Sequence, residues 1–341
     1  MRNIAIISLL IPITLTAGIL ADEELRPTIQ ETISMRFGHH YREADSILLE
    51  LQTEYPDDPA PLFLRGSNLL DNMQHREDYR DAEQVYLLLD SAIAFAENDT
   101  SDPWHIWIIG SSLGYKAIIQ AEMGKLILAL KTSLGAMSYL ERAHQHHETS
   151  ADAALGMGGY YYWKSAKLRF LTYLPLMKDR RSEGMHFLRE ARDESIYSRE
   201  AAMHSLVYIY CEEGMLDSAR CMRDSIAANY PGSLLPLWYD LAISEASQDL
   251  EAYFLAASVL STALDTCGEE QIINRLEAHL LAATAASELE DWASICQHYT
   301  AVLGYQLPSW VNDDSRNQIS DFRELAATAA ERGEPCQKIV E

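Results

Sequence analysis

The chain has 341 residues, of which 48% are hydrophobic and 23% charged, as is typical of a folded protein with an ample core. Its formal net charge is −24. A protein this acidic repels nucleic acid and anionic lipid, so the composition argues against a nucleic-acid-binding protein and favours either simple solubility or basic partners.

The first 21 residues have the pattern of a secretory signal. Residues 1–3 carry one positive charge, Ile4 to Leu20 is almost wholly apolar, and Ala21 precedes an acidic stretch. The apolar run is at the lower limit of length for a membrane span, and Pro12 interrupts it. We therefore predict a signal peptide over residues 1–21 and an exported chain, periplasmic or secreted. Cleavage is expected after Ala21, with Gly18 as the second choice and an uncleaved anchor as the alternative.

The rest of the chain, residues 22–341, reads as one helical array. Apolar residues recur at helical spacing throughout, no linker divides the chain, and Gly and Pro cluster at turns. The predicted helices span 29–36, 41–52, 61–73, 81–96, 104–122, 126–144, 151–164, a segment around 184–191, 198–213, 216–229, 234–247, 250–264, 270–289, 292–303 and 315–331. The last of these is polar enough to cap the array. The best candidate for a strand is 105–109.

One pattern recurs along these helices. Its best instance is Leu206, Tyr210, Gly214, Ala219 and Pro231, in which twelve residues separate the last two positions. Partial instances are Ala44, Leu48 and Pro56, again with twelve residues from first to last; Trp238, Leu241 and Ala242; Ala136, Leu140 and Ala143; and Gly184, Leu188 and Ala191.

This pattern resembles the tetratricopeptide repeat family, whose motif runs W-x2-L-G-x2-Y, then A-x3-F, then P. No repeat here is complete, and Arg223 stands where the family has a large aromatic residue. The resemblance implies an all-α solenoid, a right-handed superhelix of antiparallel helix pairs. It also implies that peptides or partner proteins bind on the concave face, which the first helix of each pair lines.

Residues 160–181 are the strongest candidate for a binding surface. Four consecutive aromatic residues are followed by six basic ones, and aromatic and arginine side chains are enriched at binding hot spots. We predict partner contacts by Tyr160, Tyr161, Tyr162, Trp163, Lys164, Lys167, Arg169, Arg180, Arg181 and, as an extension, Tyr239. The alternative is that the aromatic residues fill the core and the charges keep a long loop soluble.

Three further patterns could carry a nucleophile, a metal site or a disulfide. Gly110-Ser111-Ser112-Leu113-Gly114 matches the G-x-S-x-G nucleophile elbow, but that motif requires a sheet, which the chain does not offer. His144 and His147 share a helical face suited to a metal, although imidazole is also favourable at a helix C-terminus. Among five cysteines, Cys211 and Cys221 flank one helical hairpin and could pair, while most cysteines are expected to be small buried hydrophobes.

The sequence therefore predicts an exported scaffold or adaptor that binds a partner protein or peptide on a concave face, in a cell-envelope assembly or transport complex. The partner is expected to be basic, or acidic if residues 164–181 dock it. No enzymatic activity, metal or cofactor is expected. One alternative is a solute-binding component of a transporter, with a closed pocket lined by residues 160–163. A more remote one is a serine hydrolase at Ser112.

Overall fold

A computed structural model of the protein describes residues 18–167, 178–305, 307, 313–332 and 336. Within these residues the chain is entirely helical, with fifteen α-helices, one short 3-10 helix and no strand. None of the described helices is long and apolar enough to cross a membrane.

The helices follow the predicted series closely. They are α1 (Arg26–Phe37), α2 (Tyr41–Glu54), α3 (Pro59–Arg76), α4 (Ala82–Ala96), α5 (Pro103–Glu122), α6 (Leu126–Ala143), α7 (Ser150–Lys167), α8 (Arg181–Glu194), α9 (Arg199–Glu212), α10 (Leu216–Asn229), α11 (Leu235–Ser247), α12 (Leu250–Asp265), α13 (Ile272–Glu288), α14 (Trp292–Val302) and α15 (Asp313–Glu331). The all-α prediction is confirmed. The suggestion of a strand at 105–109 is wrong, because these residues lie inside α5.

Two of the helix starts share one sequence device. Asp58 and Asp102 precede prolines, and each accepts a hydrogen bond from the second backbone N–H of its helix, at 2.8 Å in both cases. A proline at the first helical position loses no hydrogen bond, because that N–H has no partner inside the helix. These caps fix where α3 and α5 begin.

Consecutive helices pack against each other as antiparallel hairpins, and odd-numbered helices also contact the next odd-numbered helix. The result is a two-layered α-solenoid, with odd-numbered helices in one layer and even-numbered helices in the other. The last helix, α15, packs on α13 and α14 and buries Phe322. It closes the array, as a terminal capping element does.

A disulfide joins Cys296 of α14 to Cys336, while Cys211, Cys221 and Cys267 are free thiols. The suggested Cys211–Cys221 pair is therefore wrong.

The odd-numbered layer curves so strongly that distant helices meet across it. The N-terminal segment, residues 18–37, lies on this inner layer. The Tyr197 hydroxyl donates to the Leu20 carbonyl oxygen at 2.8 Å, and Gln30 Nε2 donates to the Ile196 carbonyl oxygen at 3.1 Å. Asp152, buried at the start of α7, accepts from the backbone N–H groups of residues 196 and 197.

Two more contacts close the layer further along. The Leu234 backbone N–H donates to His39 Nε2 at 2.9 Å, and the His39 ring stacks on His75 with centroids 3.8 Å apart. The Asn274 side chain donates to the His75 carbonyl oxygen at 2.7 Å. Burial lowers the pKa of His39 to about 3, so the ring is neutral and its Nε2 is free to accept. The first repeats are thus tied to the fifth, sixth and seventh.

Two glycines allow α7 and α8 to approach each other closely. A Cβ on Gly158 of α7 would lie 2.8 Å from the Gly184 carbonyl oxygen, and a Cβ on Gly184 of α8 would lie 2.7 Å from the Gly158 carbonyl oxygen. Both helices therefore meet backbone to backbone, which only glycine permits at this distance.

We expect Gly184→Ala to destabilise the protein by about 1–3 kcal/mol, because the added methyl group has no room between α7 and α8. Gly159→Ala is the matched control, since its Cβ would meet nothing within 4 Å and alanine favours the helix. Urea unfolding of both variants measures the difference. Equal stability of the two variants would show that the helices can separate without cost.

The closure also carries a carboxyl pair, Glu77 at the end of α3 and Glu277 in α13. Although part of Glu77 faces solvent, withdrawal of its carboxyl group from water and the neighbouring Glu277 raise its pKa from 4.5 to about 8. Burial raises the pKa of Glu277 as well. A shared proton therefore suits the closed arrangement.

Because the folded-state pKa of Glu77 is raised, its contribution to stability is complete below pH 4.5 and is lost as the pH rises through about 8. We expect the amide protection factors in α3 and α13, in which the base-catalysed rise of intrinsic exchange is already divided out, to fall over that interval, and Glu77→Gln to suppress the fall. Glu50→Gln, an exposed site on α2, is the control. A pH response that is identical in all three proteins would contradict this assignment.

Candidate binding groove

An open groove of about 740 Å³ lies on the inner layer of the described structure. Three odd-numbered helices, α7, α9 and α11, contribute its walls. The lining residues are Trp163, His204, Ser205, Tyr208, Cys211, Glu212, Ala242, Glu245 and Ala246.

An aromatic wall forms one side of the groove. His204 Nδ1 lies 2.6 Å from the hydroxyl oxygen of Tyr239, and the Tyr208 ring packs edge-on against both the His204 and Tyr239 rings. Burial lowers the pKa of His204 and raises the pKa of Tyr208 to about 12, so both groups are neutral. The wall is therefore uncharged and held in place by ring contacts.

The rim of the groove, in contrast to its uncharged wall, carries negative charge. Glu212 and Glu245 are exposed, one on α9 and one on α11. Between them lies Cys211, whose thiol pKa is raised to about 11 by burial and by these two carboxylates. The thiol stays protonated, and the groove presents negative charge beside aromatic surface.

The position of the groove follows from the N-terminal segment. Residues 18–37 cover the inner surface of α3 and α5 and reach the start of α9, where Ile33, Phe37, Trp107 and Tyr197 line a much smaller cavity. Beyond them the inner layer is open. The concave face available to another molecule therefore begins at the C-terminal half of α7.

Such a groove suits a cationic side chain. The aromatic wall can pack against the aliphatic stem of lysine or arginine, or against the face of a guanidinium, while the two carboxylates accept its hydrogen bonds. A concave apolar surface with a few polar groups is the general form of a binding site.

The structure divides the predicted surface of residues 160–181. Tyr162 and Tyr239 are fully buried and Tyr161 nearly so, with the Tyr161 and Tyr162 hydroxyls donating to Glu141 and Glu213. The prediction that these three tyrosines contact a partner is wrong, because they fill the core. Successive residues on a helix point about 100° apart, so a run of four cannot share one surface.

Of the other aromatic residues, Trp163 lines the groove and Tyr160 is half-buried beside it. Tyr160 accepts a hydrogen bond from Lys164 Nζ at 3.1 Å. Trp163 has Lys167 Nζ 5.9 Å from its ring centroid. These residues can still meet a partner.

The predicted basic cluster is partly neutralised. Arg180 stacks on Tyr161 and pairs with Glu183, and Arg181 pairs with both Asp179 and Glu213. Arg169 lies outside the described residues. Lys164, Lys167 and Lys178 are exposed, so they carry what is left of the predicted positive surface.

A second surface lies at the edge of the solenoid where α5 ends and α6 begins. Its apolar side chains are exposed, with Leu126 at 68% and Ile127 at 89%. The remaining apolar members are Met123, Leu128, Leu130 and Leu134. We call this surface the basic apolar edge, because Lys125 and Lys131 flank it and Lys164 and Lys167 end the parallel helix α7 at the same edge.

The two chemical sites that the sequence suggested, a nucleophile and a metal site, lie outside the groove. Ser112 is fully buried in the middle of α5, and among the described residues its hydroxyl has no hydrogen-bond partner, so the nucleophile-elbow interpretation is wrong. His144 Nδ1 lies 3.0 Å from both Ser150 oxygens, and a Glu190 carboxylate oxygen is 3.8 Å away. In the described part of the chain, no three His, Cys, Asp or Glu side chains are grouped to hold a metal.

Sequence reasoning missed His204, Tyr208, Glu212 and Glu245. The sequence does indicate the three that lie on α9, because the repeat-pattern residues Leu206 and Tyr210 mark the buried face of that helix. Positions two residues away, repeating at intervals of four, then fall on a neighbouring face that looks into the groove.

Comparison with models of known protein families finds no match to this chain, and comparison with curated proteins likewise finds none.

Proposed function

We propose that the protein is an exported, tetratricopeptide-like adaptor that holds a basic segment of a partner protein in the groove between α7, α9 and α11. The observation that carries this proposal is an open aromatic groove whose rim bears the exposed carboxylates Glu212 and Glu245. The partner is expected to belong to a cell-envelope assembly or transport complex.

Three features support a peptide as the occupant. The groove is long enough to be lined by three helices and is open to solvent, as extended segments require. Its aromatic residues supply contact area with little loss of side-chain entropy. The net charge of −24 attracts a basic segment over a longer range than the rim carboxylates alone.

The same features argue against the solute-binding alternative. That function needed a closed pocket lined by residues 160–163, whereas Tyr161 and Tyr162 are sealed in the core. Only Trp163 of that run reaches the groove.

We expect peptides selected from a random display library on the folded protein to be enriched in lysine or arginine. The double variant Glu212→Gln, Glu245→Gln should bind such a peptide about fivefold more weakly, since an exposed carboxylate contributes up to about 1 kcal/mol to an ion pair. Calorimetric titration with one selected peptide measures the affinity.

The matched control is Glu50→Gln, Glu83→Gln, which changes the net charge equally but lies on the outer helices α2 and α4. Equal weakening in both double variants would mean that only overall charge attracts the peptide. Selection of peptides without basic residues would contradict the proposed chemistry.

The net charge of −24 opposes binding to anionic lipid, but the lysines of the basic apolar edge reverse the charge locally and favour a second activity, attachment to an anionic membrane surface. Six of the seven lysines lie between residues 116 and 178, in a chain that is otherwise strongly acidic. Exposed apolar residues ringed by lysine suit the boundary between headgroups and acyl chains, where each lysine adds about 1 kcal/mol.

We expect the protein to sediment with vesicles of phosphatidylcholine and phosphatidylglycerol more than with phosphatidylcholine alone, and less at high salt. Leu126→Ser, Ile127→Ser should weaken this binding at least roughly tenfold, because burying each side chain contributes about 1.5–3 kcal/mol. The control is Leu87→Ser, Leu255→Ser, at exposed positions on α4 and α12.

Absence of binding to the anionic vesicles, or equal binding by both double variants, would contradict attachment through this edge. A concentration-dependent dimer that only Leu126→Ser, Ile127→Ser abolishes would assign the edge to a second copy of the chain instead.

A further inference from the structure

Residues 19 and 20 belong to the core of the protein. Ile19 is 3% exposed and Leu20 is 1% exposed, and both are packed in the hydrophobic cluster of the first repeats. The Leu20 carbonyl oxygen accepts from the buried Tyr197 hydroxyl at 2.8 Å. A cleavage after Ala21 would remove both side chains from this cluster and leave the Tyr197 hydroxyl without its acceptor.

The nitrogen of Ile19 faces a carboxylate. It lies 2.8 Å from Asp58 Oδ2, while Asp58 Oδ1 caps α3 by accepting from the Ala60 N–H. A Cβ on Gly18 would lie 3.2 Å from Asp58 Oδ2 and 3.6 Å from both Asp102 Oδ2 and His105 Nε2, so a second carboxylate and an imidazole stand on the same side. The His105 ring lies 3.9 Å from Asp102 Oδ2. Asp58, by contrast, accepts directly from the Ile19 nitrogen, so it is the carboxylate that favours a positive charge there.

The sequence just before Ile19 fits a cleavage site better than the sequence before Asp22 does. Leader cleavage prefers small residues at the last and the third-last positions of the leader. Thr16-Ala17-Gly18 meets this requirement at both positions, whereas Ile19-Leu20-Ala21 meets it only at the last.

We propose that a leader peptidase hydrolyses the Gly18–Ile19 bond and that the new N-terminal ammonium group of Ile19 forms an ion pair with Asp58. Water adds across the peptide bond, so that Gly18 leaves with a carboxylate and Ile19 keeps a protonated amine. The neutral N–H that Asp58 accepts in the uncleaved chain is thereby replaced by a charged donor, and charge-assisted hydrogen bonds are the stronger kind. The leader's departure thus strengthens the fold at its first residue.

The direct test is to express the full chain in an export-competent bacterium and to determine the first residue of the purified protein by intact mass and N-terminal sequencing. We expect Ile19. A chain that begins at Asp22, or one that keeps its leader, would overturn the proposal.

A second measurement tests the ion pair without relying on a host peptidase. Chains that begin at Ile19 or at Asp22 can be released from a fusion protein by a site-specific protease. The Ile19 chain should have the higher thermal midpoint. Pairing with Asp58 raises the pKa of the amine, so this advantage should be present at neutral pH and shrink as the pH rises above the ordinary α-amino value of about 8.

Asp58→Asn isolates the charge, because asparagine caps a helix as well as aspartate does. In the Ile19 chain, Asp58→Asn should abolish the fall in thermal midpoint at alkaline pH. Asp249→Asn, which changes the cap of α12 in the same way, should leave that fall unchanged. N-terminal acetylation should act like Asp58→Asn. If the thermal midpoint of the Ile19 chain still falls at alkaline pH both in Asp58→Asn and after acetylation, the ion pair is overturned.

Discussion

The contact between the N-terminal segment and the loop before α9 determines what the inner face of this solenoid can do. Tyr197 and its neighbours hold residues 18–37 against α3, α5 and α7, and buried Asp152 holds the loop that carries Tyr197. An inner layer that is free in an ordinary helical array is here largely occupied by the protein's own chain. The proposed binding groove lies in the part that this segment does not reach.

That confinement gives the remaining groove its character. The groove begins at Trp163, where the covering segment ends, and its far wall is α11. Neutral aromatic rings form the wall, and Glu212 and Glu245 form the rim, so the groove differs in charge from the lysine-bearing edge near Ile127. Two surfaces of opposite chemistry on one helical array are suited to holding two different objects.

The sequence predicts the helices well because their signals are local. Apolar spacing, glycine and proline place most helix ends within a few residues, and the motif positions Leu206 and Tyr210 are buried as the repeat pattern requires. The binding surface is harder to predict, because it depends on which face each side chain occupies. Tyr161 and Tyr162 point into the core although Trp163, the next residue, does not.

The closure of the inner layer has no local signal at all. The His39 ring accepts from the Leu234 N–H across 195 residues, and the Tyr197 hydroxyl donates to the Leu20 carbonyl oxygen across 177. Only a knowledge of the curvature brings such residues together. The Cys296–Cys336 bond is similar, since five cysteines allow many pairings and spacing does not choose among them.

The 177-residue span between Leu20 and Tyr197 also sets the order in which the molecule can be completed. Repeat arrays are usually built from neighbour contacts and can consolidate from one end as the chain appears. Here the first two repeats lack part of their core until α9 has emerged, so their assembly has the high contact order of a globular domain and is correspondingly slow. Until α9 has been synthesised the amino-terminal third would stay incompletely packed, which is the interval in which a chaperone or a protease has access to it.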